Sequence, residues 1–235
     1  MVRRFFLIAM AAGSGTRMGG GLPKQFLPLE GIPILRRTLE KFIGACPDVH
    51  VVTVLPAAFI PYWKSYCLEA DFVHPQILVP GGITRFHSVR AALAKVPDGV
   101  LVAIHDGVRP LLSEELIVRM REQMESCRAL IPVVPMTDTL KVLERTTGEG
   151  GSRLEAVPGE QADRSRIFGA QTPQFFLSEE IKAAYNQAYD TAFTDDASVA
   201  ERNGIPLSFV EGERLNIKIT TPEDLRLAQA LLRNR

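Results

Sequence analysis

Neither sign of charge is in excess in this 235-residue chain: 27 Lys and Arg balance 27 Asp and Glu, for a formal net charge of zero. Bulk electrostatics therefore gives no reason to expect nucleic acid or a membrane surface as partner, although a neutral total can hide a basic pocket. Cysteine is scarce. Cys46, Cys67 and Cys127 are odd in number, scattered and in no CxxC spacing, which argues against a disulfide framework or a zinc site and fits a reducing cytoplasm. No apolar run approaches the ~18 residues of a membrane span. The opening "MVRRFFLIAMAA" crudely mimics a secretory leader, but a Gly-rich loop and a charged helical pattern follow at once, as after a buried first strand. The sequence contains no internal repeat and no obvious Ser-His-Asp or Cys-His set. A soluble, cytoplasmic protein is expected.

What is present is alternation. "RFFLIAMAA", "VHVVTVLP", "QILVPGG", "VLVAIHD" and "ALIPVVPM" are near-continuous apolar runs of the kind buried parallel strands show. Between them lie helical patterns: "PILRRTLEKFIGA", "FIPYWKSYCLEA", "TRFHSVRAALAKV" and "SEELIVRMREQMESC". Val89, Ala92, Leu93 and Val96 fall at helical spacing and are expected in the core. Toward the end, "TPEDLRLAQALLRN" offers Thr221 as N-cap and Pro222 at the first helical position. The pattern predicts a single α/β domain over residues 1–235, Rossmann-like and doubly wound, with helices on both faces of a mostly parallel sheet. The rhythm breaks over residues 138–163, a polar stretch with Gly148, Gly150 and Gly151 at its tip. "TLKVLE" and "RLEAVP" could flank that tip as strands. Such a hairpin is hard to stabilise alone, so it reads as a surface hairpin or as a β-arm reaching for a second subunit.

"AAGSGTRMGGGLPKQF" follows the first apolar run. A dinucleotide fingerprint fails at Met18, where its third Gly should stand, and no acidic residue ends the second strand. A Walker loop fails because Lys24 is preceded by Pro23 and followed by Gln25. What remains is G-x-G-x-R with Lys seven residues on. Glycines let the backbone turn its N–H groups toward an anion, and Arg17 and Lys24 add two cations beside that nest. The combination suits a triphosphate held while a bond at phosphorus breaks.

The same stretch resembles the signature of sugar-phosphate nucleotidylyltransferases, and most resembles the 2-C-methyl-D-erythritol 4-phosphate cytidylyltransferase family of the non-mevalonate isoprenoid pathway. "PGGITRFHSV", "AIHDGVRPLL", "DTLK", "QTPQFF", "TDDAS" and "NIKITTPEDL" agree in order, so the resemblance runs from residue 11 to about 225. It implies that CTP and the polyol phosphate give a CDP-alcohol and pyrophosphate by in-line attack of a phosphate oxygen on the α-phosphorus. A phosphate dianion needs no general base, so positioning and charge stabilisation would carry catalysis.

By this resemblance, Arg17 and Lys24 stabilise the transition state, and Ala11, Ala12, Gly13, Ser14 and Gly15 cradle the nucleotide. Gly81, Gly82 and Ser88 take the base positions, with Ile83 where some relatives carry Asp. Asp106 would meet ribose or substrate hydroxyls or the metal, and Arg109 the polyol. Thr139 and Arg164 on the arm, with Lys218, would hold the acceptor phosphate, the arm residues acting across a homodimer; Arg166 competes with Arg164. Thr172 and Thr194 are hydroxyl donors to the substrate. Mg²⁺, or another divalent cation, would ride mainly on the CTP phosphates. His105 reads as a packing residue, and Asp195 and Asp196 as caps of the helix after them. Three rivals stand beside this reading. A cytidylyltransferase for ribitol 5-phosphate shares the chemistry, an NAD(P)-dependent oxidoreductase is disfavoured at Met18, and a nucleotide sensor would not need Arg17 and Lys24.

Overall fold

The computed structural model describes residues 3–13, 21–148, 151–159 and 161–233. Ser14, Gly15 and Arg17 lie outside the described residues.

In the first strand, β1 (Phe5–Met10), side chains alternate between two apolar clusters: Phe5, Leu7 and Ala9 into one, Phe6 and Ile8 into the other. That period-2 pattern with both faces apolar places β1 in the middle of a sheet covered on both sides. A three-residue 3₁₀ turn (Lys24–Phe26) and a short hairpin, β2 (Pro28–Leu29) with β3 (Ile32–Pro33), lead to α1 (Ile34–Ala45). Helix α1 buries Ile34, Leu35, Thr38, Leu39 and Phe42, one stripe at helical spacing. Then come β4 (His50–Leu55), α2 (Ile60–Glu69), β5 (Gln76–Pro80), α3 (Arg85–Leu93), β6 (Leu101–Asp106), α4 (Glu114–Gln123) and β7 (Ala129–Pro135). The hairpin β8 (Leu143–Gly148) and β9 (Gly151–Ala156) follows, then β10 (Phe168–Ala170), β11 (Gln174–Leu177), α5 (Ser178–Ala184), α6 (Asp196–Arg202), β12 (Ser208–Glu211) and α7 (Pro222–Arg233).

The fold is α/β. Strands run β5-β4-β1-β6 in parallel, and the chain crosses from β5 to β6 on the opposite side of β1. Residues of α1, α2 and α4 pack in the cluster under one face, and those of α3, α5 and α6 under the other. The order reverses at β1, so the crevice beyond the carboxyl ends of β1 and β6 is where an open sheet of this kind receives a ligand.

The five strand runs and six helices expected from the sequence are present. Val89, Ala92, Leu93 and Val96 are buried, and Thr221 Oγ1 accepts the Asp224 N–H at 3.3 Å as the cap of α7. The second half of the sheet departs from a simple parallel pattern. β11 is inserted antiparallel between β6 and β7, β10 pairs antiparallel with the far part of β7, and β12 adds a parallel strand on β7's other edge. β10 and β11 are one strand with a break. Ala170 faces Val133 while Phe175 faces Leu130, five residues against three, so two extra residues bulge out around Gln171–Pro173, where Thr172–Pro173 is cis.

The hairpin within 138–163 exists, but its first strand is shifted. It starts at Leu143 rather than Thr139, with Leu143 opposite Ala156 and Gly148 opposite Gly151. Neither of its faces is buried against the core, so apolar alternation in "TLKVLE" had nothing to enforce. The register follows the tip, where Gly151 takes φ +98°, in the region that favours glycine.

Candidate active site

Beyond β1 and β6 lies a cleft of about 480 Å³, lined on one wall by Ala11, Ala12, Gly13 and Lys24 and on the other by Asp106 and Lys218. Gly82, Ile83, Thr84, Arg85 and Ser88 close a third side. The turn after β5 can come this close only because position 81 has no side chain. A Cβ there would stand 2.4 Å from the Ala12 Cβ.

The first turn of α3 is built inward. Thr84 caps the helix, and the Ser88 hydroxyl accepts the Gly82 N–H at 2.9 Å while donating to the Thr84 carbonyl at 2.9 Å. Ser88 therefore shapes the Gly82 turn from within the cleft lining. Arg85 reaches across to Asp196 with two bonds, Nη1–Oδ1 at 2.8 Å and Nη2–Oδ2 at 2.5 Å, and the Tyr185 hydroxyl donates to the same carboxylate at 2.6 Å. Burial works against the Arg85 charge, but the Asp196 carboxylate overcomes it and raises the guanidinium further above its ordinary value. This corrects the expected role of Asp196. Asp195 alone caps α6, in a reciprocal box with Ser198, while Asp196 is fully buried as the partner of Arg85.

Asp106 ends β6 with its Oδ2 shared between Arg109 Nε at 3.0 Å and Lys218 Nζ at 3.2 Å. Burial alone would raise its pKa; Lys218, Arg109 and Arg85 outweigh that and hold the carboxyl well below the usual range. Lys218 arrives on the segment after β12, which is tied down at several points. The Arg109 guanidinium donates to the Asn216 carbonyl at 2.7 Å, the Asn216 amide to the Thr172 carbonyl at 2.8 Å, and the Ile219 N–H to the Val108 carbonyl at 2.9 Å. Gln171 holds Glu213 by both backbone groups, donating to its carbonyl at 2.8 Å and accepting its N–H at 3.1 Å. The bulge between β10 and β11 thus carries the latch that places Lys218 over Asp106.

Thr172 lies beneath this group. Its hydroxyl accepts the Asp106 N–H at 3.1 Å and meets His105 Nδ1 at 2.9 Å. This buried hydroxyl, engaged on two sides, supports Asp106 from below. Thr172→Val keeps the shape and removes both bonds, and is expected to destabilise the fold by about 1–3 kcal/mol. Chemical denaturation measures this, and an unchanged midpoint would refute the support. His105 is fully buried against Phe42. Burial depresses its pKa to about 3 from 6.5, with Asp106 opposing, so it stays neutral in the physiological range, as a packing residue.

Thr139, Arg164 and Thr194 do not line this cleft. Thr139 and Thr194 are exposed, and Arg164 donates to the Thr137 carbonyl at 2.7 Å, at the base of the hairpin. Sequence reasoning missed Arg85, Gln25, Gln171 and Asn216, all of which stand inside quoted motifs. No third convergent carboxylate or imidazole marks a metal group among the described residues, and Asp106 is the carboxylate lining the cleft.

The family model described as 2-C-methyl-D-erythritol 4-phosphate cytidylyltransferase (IspD) matches residues 5–234. The chain belongs to this family. Among curated members of the cytidylyltransferase family, the Porphyromonas gingivalis protein is 45% identical over 235 residues, covering 99% of both chains. That of Phocaeicola vulgatus is 43% identical, covering 96% of this chain and 98% of its own. Among solved structures, the 4-diphosphocytidyl-2C-methyl-D-erythritol synthase of Anaerococcus prevotii superposes with a TM-score of 0.79 at 27% identity, covering 98% of this chain and 96% of that one. The Thermus thermophilus cytidylyltransferase does so at 0.71 and 30%, covering 98% and 99%. The membership accords with a cleft at the β1–β6 switch point and agrees with the resemblance carried by the seven motifs.

Proposed function

We propose that the protein transfers the cytidylyl group of CTP to 2-C-methyl-D-erythritol 4-phosphate, giving 4-diphosphocytidyl-2-C-methyl-D-erythritol and pyrophosphate in non-mevalonate isoprenoid precursor biosynthesis. The observation that carries this reading is the cleft itself. A Gly-containing loop and Lys24 form one wall, and Lys218, set on Asp106, forms the other. Nucleotide and acceptor phosphates both need such cations, and they meet in line between them. An acceptor phosphate oxygen attacks the α-phosphorus, the bond from that phosphorus to the β-phosphate bridge breaks, and the electron pair leaves on pyrophosphate. The acceptor dianion brings its own nucleophile, so no residue has to take a proton.

Lys24, together with Arg17, neutralises charge growing on the α-phosphate and the leaving group. Ala11, Ala12 and Gly13, with Ser14 and Gly15, hold the triphosphate, and Gly81 and Gly82, supported by Ser88, receive the base. Lys218 and Arg109, ordered by Asp106, face the acceptor. Arg164 and Thr139 complete the acceptor site from the arm of a second subunit, and Thr172 and Thr194 offer hydroxyls to the substrate. The fit to Mg²⁺ is to an ion that keeps waters and phosphate ligands and needs few protein oxygens, for which Asp106 offers one hard donor. When bound, Mg²⁺ supplies further neutralisation of the phosphates. Free thiols at Cys46, Cys67 and Cys127 suit a cytoplasmic enzyme, and no helix among the described residues is long and apolar enough to cross a membrane.

The test is pyrophosphate release, screened over four nucleoside triphosphates and several polyol phosphates. CTP with methylerythritol phosphate is expected to lead, and release with ribitol 5-phosphate alone would overturn the acceptor. The pH profile is a second signature. His105 is neutral above about pH 3 and Asp106 remains ionised into acid, so turnover should rise through about pH 6 with the second ionisation of a phosphate monoester and then stay level. A bell centred on a histidine would contradict proton-free catalysis.

A further inference from the structure

We infer that Gln25 is the positioning residue that fixes the mouth of the phosphate loop relative to Lys24, an assignment that rests on the cytidylyl-transfer reading. Gln25 is buried in the 3₁₀ turn directly after Lys24. Its Nε2 donates to the Ala11 carbonyl at 2.6 Å and to the Gly13 carbonyl at 3.3 Å, across 14 and 12 positions of chain. On the other side, the Ala11 N–H donates to the Val54 carbonyl at 2.9 Å, so the strand end is gripped from both flanks.

The next residue, Phe26, anchors the same turn in the core, its ring centroid 5.7 Å from that of Phe59, 5.1 Å from Tyr62 and 5.9 Å from Trp63. Three consecutive residues thus divide three tasks: Lys24 lines the cleft, Gln25 holds the loop and Phe26 holds the wall. A trans peptide carries its N–H opposite its C=O, so tying the Ala11 carbonyl to Gln25 turns the Ala12 N–H away from that side chain. A primary amide offers two protons from one nitrogen to two carbonyls, and does so without the charge that an ammonium or guanidinium would add beside Lys24.

The test uses Gln25→Glu and Gln25→Met in the full chain. The Glu side chain has the same shape, but when ionised it sets a carboxylate oxygen against two carbonyl oxygens; when protonated it donates to one of them. The charged groups lining the same cleft are Lys24, Arg85, Asp106 and Lys218. Taking the ratio of variant to wild-type kcat cancels the acceptor's own ionisation. That ratio is expected to fall roughly 100-fold at pH 8 and to recover roughly tenfold by pH 6 as the carboxyl protonates, with the acceptor KM unchanged. For Gln25→Met the ratio should be low and independent of pH.

A flat ratio for Gln25→Glu, or wild-type kcat in Gln25→Met, overturns the inference. If melting curves show Gln25→Glu unfolded at pH 8, the Gln25→Met result decides. If the wild type releases no pyrophosphate from CTP with any polyol phosphate, the functional reading fails separately. The anchoring is then read from amide hydrogen exchange at Ala12 and Gly13, expected to be faster in Gln25→Glu than in wild type at pH 8 and equal only if Gln25 holds nothing.

Discussion

Lys24→Ala is expected to lower kcat by roughly 100- to 1,000-fold and to leave the melting temperature where it was. The bonds that make its turn are backbone ones, Phe26 N–H to Pro23 and Leu27 N–H to Lys24, both independent of the side chain. Phe26 and Gln25 hold the turn to the rest of the molecule. The ammonium is thus mounted on a frame that survives its removal, and the loss should fall on the chemical step. Charge that develops between the α-phosphate and a departing pyrophosphate loses one of its partners in the variant. Lys24→Arg should recover only part of the rate, because a planar fork does not replace a compact point charge. Near-wild-type turnover in Lys24→Ala would end the transition-state assignment, and a fall in stability matching the fall in rate would make the residue structural.

Arg85→Ala is expected to be the more damaging change for the fold. It leaves the Asp196 carboxylate, with no exposed surface, facing only the Tyr185 hydroxyl. Breaking a buried ion pair from one side costs about 3–5 kcal/mol. The Arg85 side chain keeps about a third of its exposure, 32%, which weakens the pair, so about 3 kcal/mol is the expected loss, or roughly 6–12 °C in Tm for a chain of this size. Replacing both partners by apolar residues, Arg85→Met with Asp196→Leu, should restore most of that stability. Turnover should stay low in the double variant, because Arg85 also lines the cleft. A double variant no more stable than the single would refute the ion-pair account.

Much of this architecture could be read in advance because the central strands are buried on both faces. A run such as "VLVAIHD" must be apolar throughout, and its polar end, Asp106, then falls where parallel strands present ligand-binding groups. The three late strands were not legible for the converse reason. β10, β11 and β12 have only three or four residues each, and "QTPQFF" joins a polar latch to an apolar strand within one motif. The lining of the cleft was legible at three charged positions, Lys24, Asp106 and Lys218, though not at Arg85. It was illegible where neutral side chains position those charges: nothing in the spacing of Gln25, Gln171 or Asn216 says that each will bind backbone far away along the chain. Asp196 shows the limit from the other direction. Its place beside a helix start invited a capping role, and only the three-dimensional approach of α3 reveals its partner.

The gathering of Lys24, Arg85 and Lys218 around one cleft, with Asp106 among them, has a further effect on a chain whose charges cancel in total. Their field is confined to the neighbourhood of the cleft, since at physiological ionic strength it fades over roughly 8 Å. Anionic substrates are thus drawn in at the last stage of approach. Capture should be sensitive to the ionic atmosphere even though the protein as a whole migrates as a nearly neutral particle.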